Sequence, residues 1–256
     1  INKMDKATAK RIVAYEGVPT ARFQLMKPQD KLRDLSFPLM VKPYSEGTSI
    51  GINQKSKVNN LTELYQAIET ISTQFNQPAL VEEFLNGTEY TIGFIGNYLL
   101  PILEIDFSKI PGNPLLRDPH IKNIENPYIS HLPWNEKAKK FASLAIKAHE
   151  ALEVRDYNRM DFRERDEQLY FLEANVIPGL HPTEADLTNM CRHAGIAHAD
   201  MVVLILSSAV KRLSEQYPER FKKKTELLNE LAKETISKAT YAGEIVYQDR
   251  VYNLLG

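Results

Sequence analysis

The sequence predicts an α+β fold, and three observations carry that prediction. Two long stretches, 61–75 and 134–152, repeat apolar side chains at three- and four-residue steps, the period of a helix with one buried face. Short apolar runs elsewhere follow one another across turn residues such as Asn86-Gly87 and Gly96-Asn97, which marks antiparallel pairing. No regular strand–helix–strand alternation runs through the chain, which argues against a doubly wound parallel sheet.

The elements follow in order. Residues 4–16 are rich in Ala and Lys, stop at Gly17 and meet Pro19, which reads as a helix with a glycine C-cap. The apolar run 37–43, the loop 44–49 and residues 50–52 read as strand, turn, strand. The helix 61–75 faces inward through Leu61, Leu64, Tyr65, Ile68, Ile71 and Phe75. Strands are expected at 79–85, 89–95 and 98–105. Residues 106–133 carry prolines at 111, 114, 119, 127 and 133 without any period, a loop long enough to suggest function. The helix 134–152 buries Phe141, Leu144, Ala145, Ala148 and Leu152. Strands 158–163 and 168–175 are joined by the charged turn 164–167. Helices at 184–195 and 198–215, a Lys-rich helix at 222–239 and a hairpin near Gln248-Asp249 complete the chain.

Composition narrows the function classes. At 256 residues and 43% hydrophobic, the chain can bury a core without metal or disulfide. With 32 basic and 33 acidic side chains its formal charge is -1, so no global field draws a nucleic acid. The strongly apolar run 201–206 is too short to span a bilayer, and no apolar signal region opens the chain. Cys191, the only cysteine, forms no internal disulfide, which fits a reducing cytoplasm. The first residue is Ile1 rather than Met, which reads as a piece of a longer protein.

Several residues offer chemistry. Glu173 and Asn175 are two apart on a strand and share a face, and Asp161 on the preceding strand is expected opposite them. Three hard oxygen donors of this kind suit magnesium; a solvated sheet face is the alternative. Lys42 ends an apolar strand, where a buried ammonium needs an anion, and 46–51 (EGTSIG) would offer amides and hydroxyls to phosphates. A hairpin whose lysine reaches solvent is the alternative. In 80–85 the backbone would pair with an adenine edge and Glu89 with a ribose; alternatively, Glu82 and Glu83 are charges protecting an edge strand. Arg159 shares the expected face of Asp161 and would steady an oxyanion or phosphoryl group, or else pair with Glu173. The six histidines show no zinc spacing, His149 and His193 read as structural, and Cys191 reads as packing.

The order of these motifs is more specific than any one of them. Met4-Asp5-Lys6, FPLMVKP at 37–43, EGTSIG at 46–51, VEEFLNG with Glu89, RMDFR at 159–163, and LEAN followed by Pro178-Gly179-Leu180 together resemble the ATP-grasp ligases, most closely the D-alanine–D-alanine ligase family. The resemblance spans about residues 2–210. It implies an ATP-grasp fold, two α+β subdomains gripping ATP between them, here with a C-terminal helical and hairpin extension. The boundaries expected on this basis are 1–80 with the phosphate loop, 81–215 with hinge, lid loop and metal site, and 216–256 as the extension.

By the same resemblance Lys6 and Lys42 hold ATP phosphates, and Glu46, Gly47, Thr48 and Ser49 close over them. Glu82, Glu83, Phe84 and Leu85 form the adenine strand, with Phe84 packing beside the base and Glu89 on the ribose. Asp161, Glu173 and Asn175 hold two Mg2+ ions, with Mn2+ an alternative metal. Arg159 and the Gly179 amide stabilise an acyl phosphate and a tetrahedral intermediate, and Lys122, or second Lys109, is the lysine of a mobile lid. The implied activity joins an amino-acid-like carboxylate to an amine at the expense of ATP, in a cytoplasmic protein, with a homodimer open and neither nucleic acid nor membrane as partner. A nucleotide-binding module without ligase activity is the competing class. Two departures stand out: the family's preceding domain of about a hundred residues is absent from this sequence, and Glu184 stands near a position where the family places a carboxylate-binding serine. A carboxylate there would repel that of D-alanine by roughly 1 to 4 kcal/mol.

Overall fold

The computed structural model describes residues 5–47, 50–110 and 129–237. The expectations for Thr48, Ser49, Lys122 and the hairpin near 248–249 lie outside these residues.

Helix α1 (Lys6–Tyr15) begins where the Asp5 carboxylate accepts the Thr8 N–H at 2.8 Å, and it stops before Gly17 at φ 78. Its buried residues are Lys6, Ala7, Ala9, Lys10 and Val13, so two lysines one turn apart point inward with the small apolar residues. Strands β1 (Phe23–Met26), β2 (Leu39–Pro43), β3 (Lys57–Val58) and β4 (Ala79–Glu83) form a four-stranded sheet in the order β1-β4-β2-β3. Strand β4 pairs antiparallel with β1 and β2, and β2 with β3; Lys42 stands opposite Leu80 and Met40 opposite Glu82. Helix α2 (Leu61–Phe75) starts at Asn60, whose side chain accepts the Glu63 N–H, and ends at Asn76 in the left-handed region, φ 49. Its Leu64, Ile68 and Ile71 pack on Met26, Leu39, Val41, Val58, Ala79 and Val81 in one apolar core.

The second sheet runs β10-β9-β5-β7-β8, built from β5 (Glu89–Ile95), β7 (Leu103–Ile105), β8 (Ile129–His131), β9 (Tyr157–Arg165) and β10 (Gln168–Asn175). Strand β6 (Tyr98–Leu99) pairs antiparallel with the end of β5. Asp166 and Glu167, at φ 52 and 59, make the two-residue turn between β9 and β10. The helices are α3 (Glu136–Ala151), α4 (Asp186–His193), α5 (His198–Gln216) and α6 (Pro218–Ser237). Among the described residues no single helix is long and apolar enough to cross a membrane.

The chain divides into two compact units, each assembled from separated stretches: Ile1–Tyr90, Ile105–Ser130 and Asp161–Ala174 make the first, and Thr91–Glu104, His131–Met160 and Asn175–Gly256 the second. Strands β5 and β9 each give residues to both units. The second unit holds its helices by Phe94 stacked on His149 at 4.3 Å, by Leu187 and Met190 of α4 against Gly93, and by Arg212 of α5 forked onto Asp156 at 3.0 and 2.6 Å.

Four expectations change. Residues 50–52 form a turn rather than a strand. The strand expected at 98–105 breaks into β6 and β7 around Pro101, which has no N–H for the ladder. Glu82 and Glu83 end an interior strand, β4, which lies between β1 and β2, so the edge-protection reading of these acids falls. Lys42 is buried and does not reach solvent.

Candidate functional site

The first unit contains a buried charge cluster at the meeting of α1, β2, β4 and β10. Lys42, near the end of β2, places Nζ 2.6 Å from Glu82 Oε1. The other oxygen of that carboxylate, Oε2, lies 2.8 Å from Lys10 Nζ. Lys10 also donates to Thr20 Oγ1 at 2.8 Å and to the Phe171 carbonyl at 3.1 Å. Lys6, one turn earlier on α1, lies 3.1 Å from Glu173 Oε2 and donates to the Glu46 carbonyl.

Charge and burial pull against each other here. Burial opposes the Glu82 carboxylate, but Lys10 and Lys42 together outweigh it and lower its pKa to about 2. Burial likewise opposes the Lys42 ammonium, and Glu82 with Glu173 turns the net shift upward. Lys10 shifts downward because burial dominates and Lys42 adds to it, with Glu82 opposing.

The loop after β2 is tied at its near end. Gln77 Nε2 donates to Glu46 Oε1 at 3.0 Å, and Gln77 Oε1 accepts the Ser45 N–H and hydroxyl, each at 3.0 Å. A Cβ at Gly47 would meet nothing within 4 Å, so this glycine borders open space, whereas one at Gly51 would meet Pro43 at 2.6 Å.

Following β4, Phe84 is almost buried with Met40, and Ile52 packs against them. Lys57 Nζ lies 4.6 Å and Arg163 Cζ 5.4 Å from the centre of its ring, so two cations fix the ring. Leu85 is buried beside it. The Glu83 side chain is held by Arg22 at 2.6 Å, and the Glu83 N–H donates to the Arg22 carbonyl at 3.0 Å. Glu89 at the start of β5 acts on the Arg163 guanidinium, opposing the downward shift that burial imposes on it.

Of the proposed metal donors, Asp161 lies on β9 and Glu173 on β10 in this unit, and Asn175, the last residue of β10, belongs to the second unit. Asn175 Oδ1 accepts the Ile177 N–H at 3.3 Å. Among the described residues no group of three or more His, Cys, Asp or Glu side chains gathers for a metal. Asp161 and Glu173 give the first unit two carboxylate donors, both hard oxygen ligands. Such an all-oxygen set fits magnesium or manganese and does not fit zinc.

In the second unit Arg159 is buried and its Nη1 donates to Asp186 Oδ2 at 3.0 Å. Gly179 sits in an exposed loop with nothing within 4 Å of a built Cβ. Glu184 is exposed and donates its N–H to His181 Nδ1 at 3.3 Å. His149 is buried with Asn158 Nδ2 at 2.8 Å, and burial raises the Cys191 thiol to about 12, so both are packing groups. Lys109, in the first unit, pairs with Asp106 at 3.2 Å on the surface.

Sequence reasoning missed Lys10, Gln77 and Asp186. The i,i+4 spacing of Lys6 and Lys10 was a signal for the first; nothing local marked the other two.

Comparison with known proteins identifies the family. Residues 9–207 match the family described as D-ala D-ala ligase C-terminus. An uncharacterized protein of Sinorhizobium fredii is 31% identical over 216 residues, covering 81% of this chain and 63% of its own length. The D-alanine–D-alanine ligase of Pseudomonas fluorescens is 30% identical over 217 residues, again covering 81% and 63%. The chain thus spans less than two thirds of the length of these relatives. The crystal structure of D-alanine–D-alanine ligase from Bacillus anthracis complexed with ATP superposes with a TM-score of 0.67 at 22% identity, over 83% of this chain and 66% of that one. At that identity the likeness speaks for the fold, which is ATP-grasp. The chain belongs to the D-alanine–D-alanine ligase family, in the region described as its C-terminus.

Proposed function

We propose that this chain carries the nucleotide and metal machinery of an ATP-dependent carboxylate–amine ligase. The observation that carries the reading is the lysine–glutamate cluster of the first unit. Buried ammonium groups at the end of β2 and the start of α1 flank a loop with open space at Gly47, a setting suited to a polyphosphate.

In this reading Lys42 and Lys6 bind phosphate oxygens, with Lys6 exchanging Glu173 for phosphate. Glu46, Gly47, Thr48 and Ser49 cover the phosphates. The Glu83 carbonyl and Leu85 amide pair with adenine beside the fixed ring of Phe84, and Glu89 takes the ribose hydroxyls. Asp161, Glu173 and Asn175 hold the metal; the chemistry a bound magnesium supplies is neutralisation of charge on the phosphoryl oxygens. Arg159, oriented by Asp186, and the Gly179 amide face the oxygen that gains charge as the amine attacks. Lys122 is the lysine assigned to excluding water from the intermediate.

The bonds made and broken follow from these roles. A substrate carboxylate takes the γ-phosphoryl group and ADP leaves; an amine nitrogen then attacks the acyl carbon, phosphate leaves and an amide forms. Positioning and electrostatic stabilisation supply the acceleration.

Two measurements test this. ADP release should be stimulated by at least one member of a panel of D- and L-amino acids, and ATP binding without turnover on any of them would refute ligation. Asp161→Asn and Glu173→Gln should each lower turnover about a hundredfold or more. A wild-type rate in either would remove that residue from the metal site.

A further inference from the structure

Lys10 has no part in the roles just assigned, yet it is the most deeply enclosed cation described in the first unit, with 0% of its surface exposed. An ammonium has three hydrogens, and three oxygens surround this one: Thr20 Oγ1 at 2.8 Å, the Phe171 carbonyl at 3.1 Å and Glu82 Oε2 at 2.8 Å. Two of its hydrogens go to Thr20 and Phe171, the Glu82 contact is an ion pair, and with no exposed surface the ammonium itself cannot reach a ligand.

What it touches matters more. Glu82 is bridged, one oxygen to Lys10 and the other to Lys42. Two ammonium groups face one carboxylate, so this trio carries a surplus positive charge. A Lys42–Glu82 pair alone would be neutral, and a buried neutral pair has little attraction left for an anion. The contact with Glu82 occupies one of the three Lys42 hydrogens, on the strand that runs into the 44–51 loop. The Lys10 end of the bridge is also anchored twice over, because Thr20 Oγ1 itself donates to the Phe171 carbonyl at 3.0 Å.

From this geometry we infer that Lys10 is a positioning residue for polyphosphate binding: it fixes Glu82 from behind, which aims Lys42 and leaves the cluster one positive charge in excess. The inference rests on the nucleotide reading given above, and the test separates the two. Equilibrium binding of ADP, with magnesium present, and of adenosine is measured on the full chain, for wild type and Lys10→Met, with circular dichroism as the control for folding. Lys10→Met should weaken ADP binding about tenfold and leave adenosine binding unchanged, since only ADP carries the charge that the trio addresses.

Wild-type protein that binds neither ligand would overturn the nucleotide reading and this inference together. Wild-type ADP binding matched by a folded Lys10→Met variant would overturn the inference alone. An equal loss of ADP and adenosine would also overturn it, because a purely structural lysine acts on both. If Lys10→Met does not fold, Thr20→Val decides: it removes one Lys10 acceptor, and it should weaken ADP binding about threefold with adenosine again unaffected. Unchanged ADP binding in folded Thr20→Val would then overturn the inference.

Discussion

At the scale of single residues the protein is governed by one carboxylate. Glu82 holds two lysines that would otherwise face each other in a medium of low polarity. Glu82→Gln removes the counter-charge and keeps the volume, so it should destabilise the fold by about 3 to 5 kcal/mol, read from urea unfolding. The pH dependence has a definite sign. The carboxyl titrates near 2 in the folded protein against an ordinary 4.5, so its contribution is present above pH 4.5 and is lost as pH falls towards 2. In that window wild-type stability should fall with acid more steeply than that of the variant, and equal slopes would contradict the assigned bridge. From sequence Lys42 reads as a buried cation in need of an anion, and Glu82 is that anion. Glu82 was placed on the adenine strand instead, because a pair formed across β2 and β4 leaves no mark on local spacing. Lys10 looked like one lysine among several on an Ala- and Lys-rich helix.

At the scale of elements, regular periods were legible and short pieces were not. The three- and four-residue step of α2 gives its limits as observed, and β5 and β10 also coincide with the runs read from sequence. Strands β1, β3 and β8 have four, two and three residues, too few for any period to register, and partners elsewhere in the chain stabilise them. Turns can be ranked by crowding. A Cβ at Gly87 would meet the Glu164 carbonyl oxygen at 2.0 Å, and backbone cannot move aside as a side chain does. Gly87→Ala should therefore cost about 2 kcal/mol or more, whereas Gly179→Ala, with nothing within 4 Å, should stay within about 0.5 kcal/mol. Thermal unfolding of both variants checks the contrast, and equal melting temperatures would contradict it.

For the whole molecule the family and fold were legible because several weak motifs occur in a fixed order, whereas which distant stretches fold together leaves no mark on any local pattern. Ligand linkage tests the assembled site. ATP with magnesium at a hundred times its dissociation constant should add about 2.7 kcal/mol of stability, seen as a raised melting temperature, and chelation of the magnesium should remove most of that gain. No shift under either condition would count against the hard-oxygen donors. The patchwork make-up of the units also has a consequence for biosynthesis. A nascent chain that has reached residue 90 already contains Lys10, Lys42 and Glu82, but Phe171 and Glu173, which hold α1 through its two inward lysines, are still to be translated. Until they leave the ribosome tunnel, α1 lacks its full set of anchors, so this helix should be among the last parts of the first unit to become protected from proteases.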